Sequence, residues 1–220
     1  MKKLFTLLLL AISILANSQA FTGISIKVGT GIAGQIKTPK KYGDGGSKVS
    51  LNFTIEPTLF TFGAKKQFDL NTDISFIQKG GVNHSPIYSY NSFGEISGTG
   101  GESYIVAMNY LCISPTVKMK FGKFFFAEFG PRMDALLYYN TTDRFASDTR
   151  TSKDFSKLNY GITYGAGMCA GTKKVKFIAE LIGQNDFSQS SYNNASRQSY
   201  VNFCYYVNCG VNIVLNKKDE

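Results

Sequence analysis

The tightest constraint on this chain is a row of alternate residues from which charge is excluded. In the C-terminal segment Val201, Phe203, Tyr205, Val207, Cys209, Val211, Ile213 and Leu215 fall on one face of an extended chain. Asn202, Cys204, Tyr206, Asn208, Gly210, Asn212 and Asn216 fall on the other. A period of two places successive side chains on opposite faces of a sheet, and a helix would mix the two sets. Seven more segments repeat the pattern. Their apolar rows are Ile24, Ile26, Val28, Ile32, then Leu51, Phe53, Ile55, Leu59, then Phe68, Leu70, Ile74, Phe76, then Leu111, Ile113, Val117, Met119, Phe121. The last three rows are Phe125, Ala127, Phe129, Met133, Leu137, then Leu158, Tyr160, Ile162, Tyr164, Met168, then Val175, Phe177, Ala179, Leu181. None contains Lys, Arg, Asp or Glu. The opposite rows carry Lys27, Glu56, Asp69, Asp73, Lys118, Lys120, Glu128, Arg132, Asp134, Lys176 and Glu180.

A basic side chain at the bilayer midplane on a lipid-facing strand costs about 2 to 4 kcal/mol, so its absence from a whole row is the mark of lipid contact. No apolar stretch beyond the first 20 residues is long enough for a spanning helix, which leaves strands. The reading is an all-β, eight-stranded, antiparallel up-and-down barrel, with the apolar rows toward lipid and the charged rows lining the lumen. The rival is a soluble barrel in which the apolar rows turn inward around an apolar ligand. Short links near Gly63–Gln67, Gly122–Phe124 and Gly171–Lys174 alternate with long ones over 35–49, 80–103, 139–157 and 184–199. That alternation is expected of a meander with short turns on the periplasmic rim and long loops outside.

The register can be anticipated at one point. If Gly122, Lys123 and Phe124 form the turn between the fourth and fifth strands, Lys118 lies opposite Glu128 inside the barrel. Pro57, Pro115 and Pro131 interrupt their strands, where each removes a ladder donor, and bulges or bends are expected there.

Met1, Lys2 and Lys3, the apolar run Leu4–Ala16 and the small residues of Ser18-Gln19-Ala20 read as a secretory signal over 1–20, cleaved after Ala20. Residues 21–216 then form the barrel domain and 217–220 a charged tail. Of 24 basic and 15 acidic residues, Lys2 and Lys3 leave with the signal, so 22 against 15 gives a net charge of +7. The basic residues are scattered, which argues against a nucleic-acid face.

The chemistry-bearing motifs are weak. Gly29-Thr30-Gly31-Ile32-Ala33-Gly34 has dinucleotide-binding spacing, but Thr38-Pro39-Lys40-Lys41 follows where a helix is required, so small lumen residues are the better account. His84, the single histidine, stands beside Ser85 without a positioned carboxylate and reads as a loop residue rather than part of a hydrolase triad. Cys112, Cys169 and Cys204 point to the polar side of non-adjacent strands and Cys209 to the other side, so free thiols are expected. No metal-ligand spacing and no cofactor motif is present. An eight-stranded interior is just wide enough for its own side chains, so no general diffusion pore is expected. Function falls to the loops, where Tyr88, Tyr90, Phe93 and Tyr192 stand among Ser, Asn and Gly as recognition candidates, with Tyr138, Tyr139, Phe145 and Phe187 of similar type.

Glu56-Pro57-Thr58-Leu59-Phe60, Ser75-Phe76-Ile77-Gln78-Lys79-Gly80, Tyr110-Leu111-Cys112-Ile113-Ser114-Pro115 and Phe129-Gly130-Pro131 resemble the recurring signature of the PorT-like outer-membrane β-barrel family. Tyr160-Gly161 through Gly165-Ala166-Gly167 resembles that family's glycine-rich sixth strand. The resemblance implies an eight-stranded outer-membrane barrel; one branch of the family is linked to a protein secretion system, a role that the resemblance does not transfer. The partners expected are outer-membrane lipid and the barrel-assembly machinery or secretion-system proteins, and no catalytic residue is expected. Family barrels often end on an aromatic residue, whereas this chain continues past Leu215 to Lys217-Lys218-Asp219-Glu220.

Overall fold

The computed structural model describes residues 21–38, 46–90, 92–94, 96–142, 155–193 and 198–215, and side chains within them except at 37–38, 83–90, 96–104, 141–142, 191–193 and 198. The signal segment and the charged tail lie outside the described residues. Every element is a β-strand: β1 Gly23–Thr38, β2 Lys48–Phe62, β3 Phe68–Tyr90, β4 Ile96–Phe121, β5 Phe125–Thr142, β6 Leu158–Gly171, β7 Val175–Asp186, β8 Ser191–Asn193 and β9 Gln198–Val214. Eight form an antiparallel meander. The three-residue β8 flanks β9 at the long-loop rim, where Tyr192 pairs with Ser199.

β9 pairs with β1 from Gly23↔Val214 to Thr38↔Ser199, so the sheet closes on itself and no long edge is left in the wall. Closure also decides which row faces where. Lys27, Glu56, Asp134 and Glu180 are all at least 97 % buried, whereas Val49, Phe177 and Leu181 are 72, 69 and 64 % exposed. The inward-apolar arrangement of a soluble ligand carrier is thereby excluded.

Phe60, Phe62, Phe121, Phe124 and Phe125 gather on the outside near the short-turn rim, and Tyr138, Tyr160 and Phe187 on the outside toward the other. Phe62 stacks on Phe68 with ring centroids 5.3 Å apart. On β5, Tyr138 lies thirteen positions beyond Phe125. At roughly 3.3 Å per residue and a tilt near 40° that is about 33 Å along the axis, enough to put aromatic girdles on either side of an apolar band about 25 Å tall.

The strands run longer than their apolar rows. The hairpin of β3 and β4 is the largest departure from expectation: the span 80–103, anticipated as a loop, is mostly ladder, with Gly80↔Ala107, His84↔Ser103 and Tyr88↔Thr99 in register. Alternating hydrophobicity detects a strand only where one face meets lipid or a core, and a strand wetted on both faces carries no such signal. Similarly, β1 reaches Thr38, β5 reaches Thr142 and β7 reaches Asp186.

The prolines behave in two ways. Beyond Pro57 the β2–β3 register shifts between Thr58 and Phe60. The bulge moves the outward row from Leu59, which is half-buried, to Phe60 and Phe62. At Pro115 and Pro131 there is no bulge. Ile113↔Met133 and Val117↔Phe129 keep one register, so the two prolines stand opposite each other and their missing donors fall at one place in the ladder.

Candidate functional site

The interior is a filled, charged lumen in two tiers. Toward the short-turn rim, Lys27 on β1 contacts Glu56 on β2 and lies 2.8 Å from Glu180 on β7. Lys118 on β4 lies 2.6 Å from Glu56 and 3.2 Å from Glu128, its opposite residue on β5. The Lys118 ammonium also stands 4.4 Å from the centre of the Phe126 ring. Asn208 donates to Glu180 at 3.0 Å and Asp73 shares the same tier.

Toward the long-loop rim, Lys79 on β3 contacts Asp134 on β5 and lies 2.8 Å from Asp186 on β7. Arg132 contacts Asp186 and approaches Asp134 with its Nε at 3.2 Å. Asn202 donates to Asp186 at 3.1 Å, and Gln35 donates to Asn202 at 3.1 Å. The charged groups of both tiers are at least 93 % buried. A buried ion pair is held by mutual attraction in a low dielectric, and removal of one partner strands the other.

Ala33, Ile77, Cys112, Cys204 and Tyr206 form an apolar layer between the tiers. The inward rows give the order: Ile77 falls between Asp73 and Lys79 on β3, and Cys204 and Tyr206 between Asn202 and Asn208 on β9. At the long-loop rim Phe155 folds back over Val106, Met108 and Tyr110 and stacks on Tyr139, with centroids 4.2 Å apart. The interior is thus plugged along its length by side chains. A cavity of about 690 Å³ lies at the wall between β6, β7, β9 and β1, lined by Tyr164, Leu181, Tyr205 and Val207 beside Gly31 and Gly165. Most of its lining faces outward and is apolar, and on its inner side it includes the buried Glu128, Ile182 and Tyr206 of the inward rows.

Glycine makes the plug possible where long side chains need room. A Cβ on Gly161 would lie 2.9 Å from an Arg132 guanidinium nitrogen and 2.1 Å from the Asn185 carbonyl oxygen. On Gly167 it would meet the Phe126 ring at 2.6 Å. Gly161→Ala is therefore expected to push Arg132 from Asp186 and to destabilise the folded barrel by about 1 to 3 kcal/mol for an overpacked interior, read as a lower urea midpoint. Gly122→Ala, at a turn position with nothing near its Cβ, offers a comparison free of crowding, though its φ of 66° brings backbone strain instead.

Of the residues read as lumen-facing, Lys27, Glu56, Asp73, Lys118, Glu128, Arg132, Asp134 and Glu180 are buried inside, and Lys176 is half-buried on the same row near the short-turn rim. Sequence reasoning missed Lys79 and Asp186. Both follow the last clear apolar residue of their strands by a few positions; Asp186 falls within the span 184–199 expected as a loop, and Lys79 just before the span 80–103. Their phase was the available signal, since Lys79 is two positions beyond Ile77 and Asp186 six beyond Glu180, on the inward rows.

Among the recognition candidates, Tyr88 and Tyr90 lie in the β3 arm rather than in a loop, Tyr192 in β8, and Phe93 at the hairpin tip, 87 % exposed. The side chains of Tyr88, Tyr90 and Tyr192 lie outside the described residues, as do those of His84 and Ser85 and the whole of Phe145. All four cysteines are free, with Cys112 and Cys204 buried inside and Cys209 exposed outside. The Gly29–Gly34 run is wholly within β1, so the helix that dinucleotide binding requires does not follow it.

A closed antiparallel meander with charge inside, an uncharged apolar exterior and aromatic girdles defines the class of outer-membrane β-barrels. The chain belongs to the outer membrane protein β-barrel domain family, whose model matches residues 16–190. Among solved structures it is similar to Neisserial surface protein A, at 13% identity and a TM-score of 0.48, over 87% of this chain and 97% of that one. It is also similar to Ail, the attachment invasion locus protein of Yersinia pestis, at 8% identity and a TM-score of 0.35, over 88% of this chain and 99% of that one. For the NanC porin the values are 10% and 0.28, over 87% and 100%. No role is carried over at these scores. No curated protein sequence matches the chain.

Proposed function

We propose that this protein is a non-enzymatic outer-membrane barrel whose plugged wall serves as a mount for an external β-arm that recognises a partner. The observation that carries the reading is the β3–β4 hairpin. Among the described residues, β2 pairs with β3 no farther than Asn52↔Ile77, followed only by the isolated bridge Gly46↔Val82 before β2, and β5 reaches β4 no farther than Ile105↔Thr142. From Asn83 to Tyr90 the two strands pair only with each other. At roughly 3.3 Å per residue this arm is about 25 Å long. Its two edges offer backbone donors and acceptors for an added strand, a recurring mode of protein recognition.

In this reading the short turns and both chain ends face the periplasm after removal of residues 1–20, and the long-loop rim faces outward. Lipid surrounds the apolar rows. Insertion uses the barrel-assembly machinery, and the PorT-like resemblance makes a secretion-system component a fitting class of partner for the arm.

The topology is tested by protease added to intact cells. Cleavage is expected within 83–104, leaving a heat-modifiable barrel core; cleavage at 63–67 with the arm untouched would invert the orientation and defeat the proposal. Excision of 83–104, with the strands rejoined by a short turn, is expected to leave a barrel that still migrates anomalously on gels until boiled. For the enzymatic alternative, His84→Ala is expected to leave the cellular lipid A profile unchanged, and any change would remove the non-enzymatic reading.

A further inference from the structure

Basic residues that stand scattered along the chain are gathered by the fold at one rim. Each of the three short turns carries lysine and none carries an acid: Lys65 and Lys66 between β2 and β3, Lys123 between β4 and β5, and Lys173 and Lys174 between β6 and β7. All five are exposed. Lys120 and Lys176 stand half-buried behind them, and Asp69, which lies 2.7 Å from Lys120, is the one acid at this rim among the described residues. Seven lysines against one aspartate leave the rim at +6, beside +7 for the whole mature chain. The long connection 143–157 differs, with four basic and three acidic residues interspersed in its sequence.

Depth decides what this ring of charge meets. Phe60, Phe62, Phe121, Phe124 and Phe125 face outward near the turns and mark the boundary between the apolar band and the lipid head groups. Lys123 adjoins Phe124, and Lys65 is three positions from Phe62. Lysines so close to the girdle can lay their stems along the apolar wall and hold their ammonium groups at head-group depth. A cavity of about 550 Å³ adds a particular seat. It lies between the β2–β3 turn and the end of β4, lined by Lys65, Lys66 and Lys120 together with the outward-facing Met119 and Phe121. The Lys120 amide donates to the Gln67 carbonyl at 2.8 Å and ties the two sides of the cavity together.

We propose that the short-turn rim is a binding surface for anionic phospholipid, with one head group seated in this cavity against Lys65 and Lys66 and others drawn to Lys123, Lys173 and Lys174. Lysine beside an apolar outward wall is the pairing that a phosphate followed by an acyl chain requires. Lysine holds phosphate as a compact point charge, and clusters of it at a membrane surface attract anionic lipid within a Debye length. The choice of phospholipid rests on the short turns facing the periplasm, which protease cleavage of intact cells decides separately from any lipid preference.

The test uses the full mature barrel in phosphatidylcholine vesicles, with Phe124→Trp as the single indole of a chain that has no Trp. Bromine on an acyl chain quenches a neighbouring indole. At low salt, brominated phosphatidylglycerol is expected to reach half-quenching at a mole fraction roughly fivefold lower than brominated phosphatidylcholine, and about 0.5 M NaCl is expected to remove most of that preference. The triple variant Lys65→Gln, Lys66→Gln, Lys123→Gln changes exposed turn positions only. It is expected to keep its heat-modifiable mobility and to be quenched equally by the two lipids. Equal quenching in the parent protein overturns the proposal and leaves the ring to an acidic protein partner. A preference that the salt or the triple substitution leaves unchanged overturns it as well, because the lysines are then not its cause.

Discussion

Lys79→Met is expected to destabilise the folded barrel by about 3 to 5 kcal/mol, because it removes one partner of a buried ionic network and leaves the others in place. Lys79 is completely buried, contacts Asp134 and lies 2.8 Å from Asp186. Without it Arg132 alone faces two aspartates, and methionine fills the volume while supplying no donor. The loss appears as a lower urea midpoint for conversion between the heat-modifiable and unfolded gel forms, with Tyr fluorescence as a second probe in a chain without Trp. Addition of Asp134→Asn restores equal charge and is expected to recover most of the loss. A double variant no more stable than the single would show that Lys79 acts by packing and not by charge.

Leu181→Arg carries the next largest effect, about 2 to 4 kcal/mol for a basic residue near the bilayer midplane on a lipid-facing strand. Leu181 is 64 % exposed, stands between Ala166 and Val207 in register, and lies beside Glu180, which is buried on the opposite face. The measurement is reversible unfolding from lipid vesicles, with Phe93→Arg at the hairpin tip as the comparison expected to change little. The pair separates lipid from water as the solvent of the outer wall. In water an exposed Leu→Arg substitution costs little, so equal stabilities for the two variants would defeat the membrane assignment.

Several features of the site were readable from residue order because each depends on neighbours in the chain. The alternation from Val201 to Leu215 determines which side chains share a face, and the absence of charge from that face determines its solvent. The odd three-residue turn Gly122–Phe124 places Lys118 opposite Glu128, since a tight hairpin transmits register from one strand to the next. Lys79 and Asp186 were not legible for a related reason. Each lies where the outward row no longer announces a strand, and its inward position depends on a wall that continues because neighbouring strands support it. The β3–β4 arm was hidden more completely, because a hairpin wetted on both faces has no apolar row to betray it. The bulge beyond Pro57, which exchanges Leu59 for Phe60 and Phe62 on the outside, likewise needed the partner strand to be seen.

By itself, then, the order of residues determined a chain of eight alternating strands, which face of each avoids charge, and the local turns that join them. Only the tertiary structure decided that Glu56, Glu128, Glu180 and Asp73 share one tier while Lys79, Arg132, Asp134 and Asp186 share another. The reason is geometric. Periodicity acts over two residues, but the level at which a side chain enters the lumen depends on strand tilt and on the register accumulated around the closed ring. Residues more than a hundred positions apart, such as Lys79 and Asp186, meet only when β9 pairs with β1 and the ring is complete.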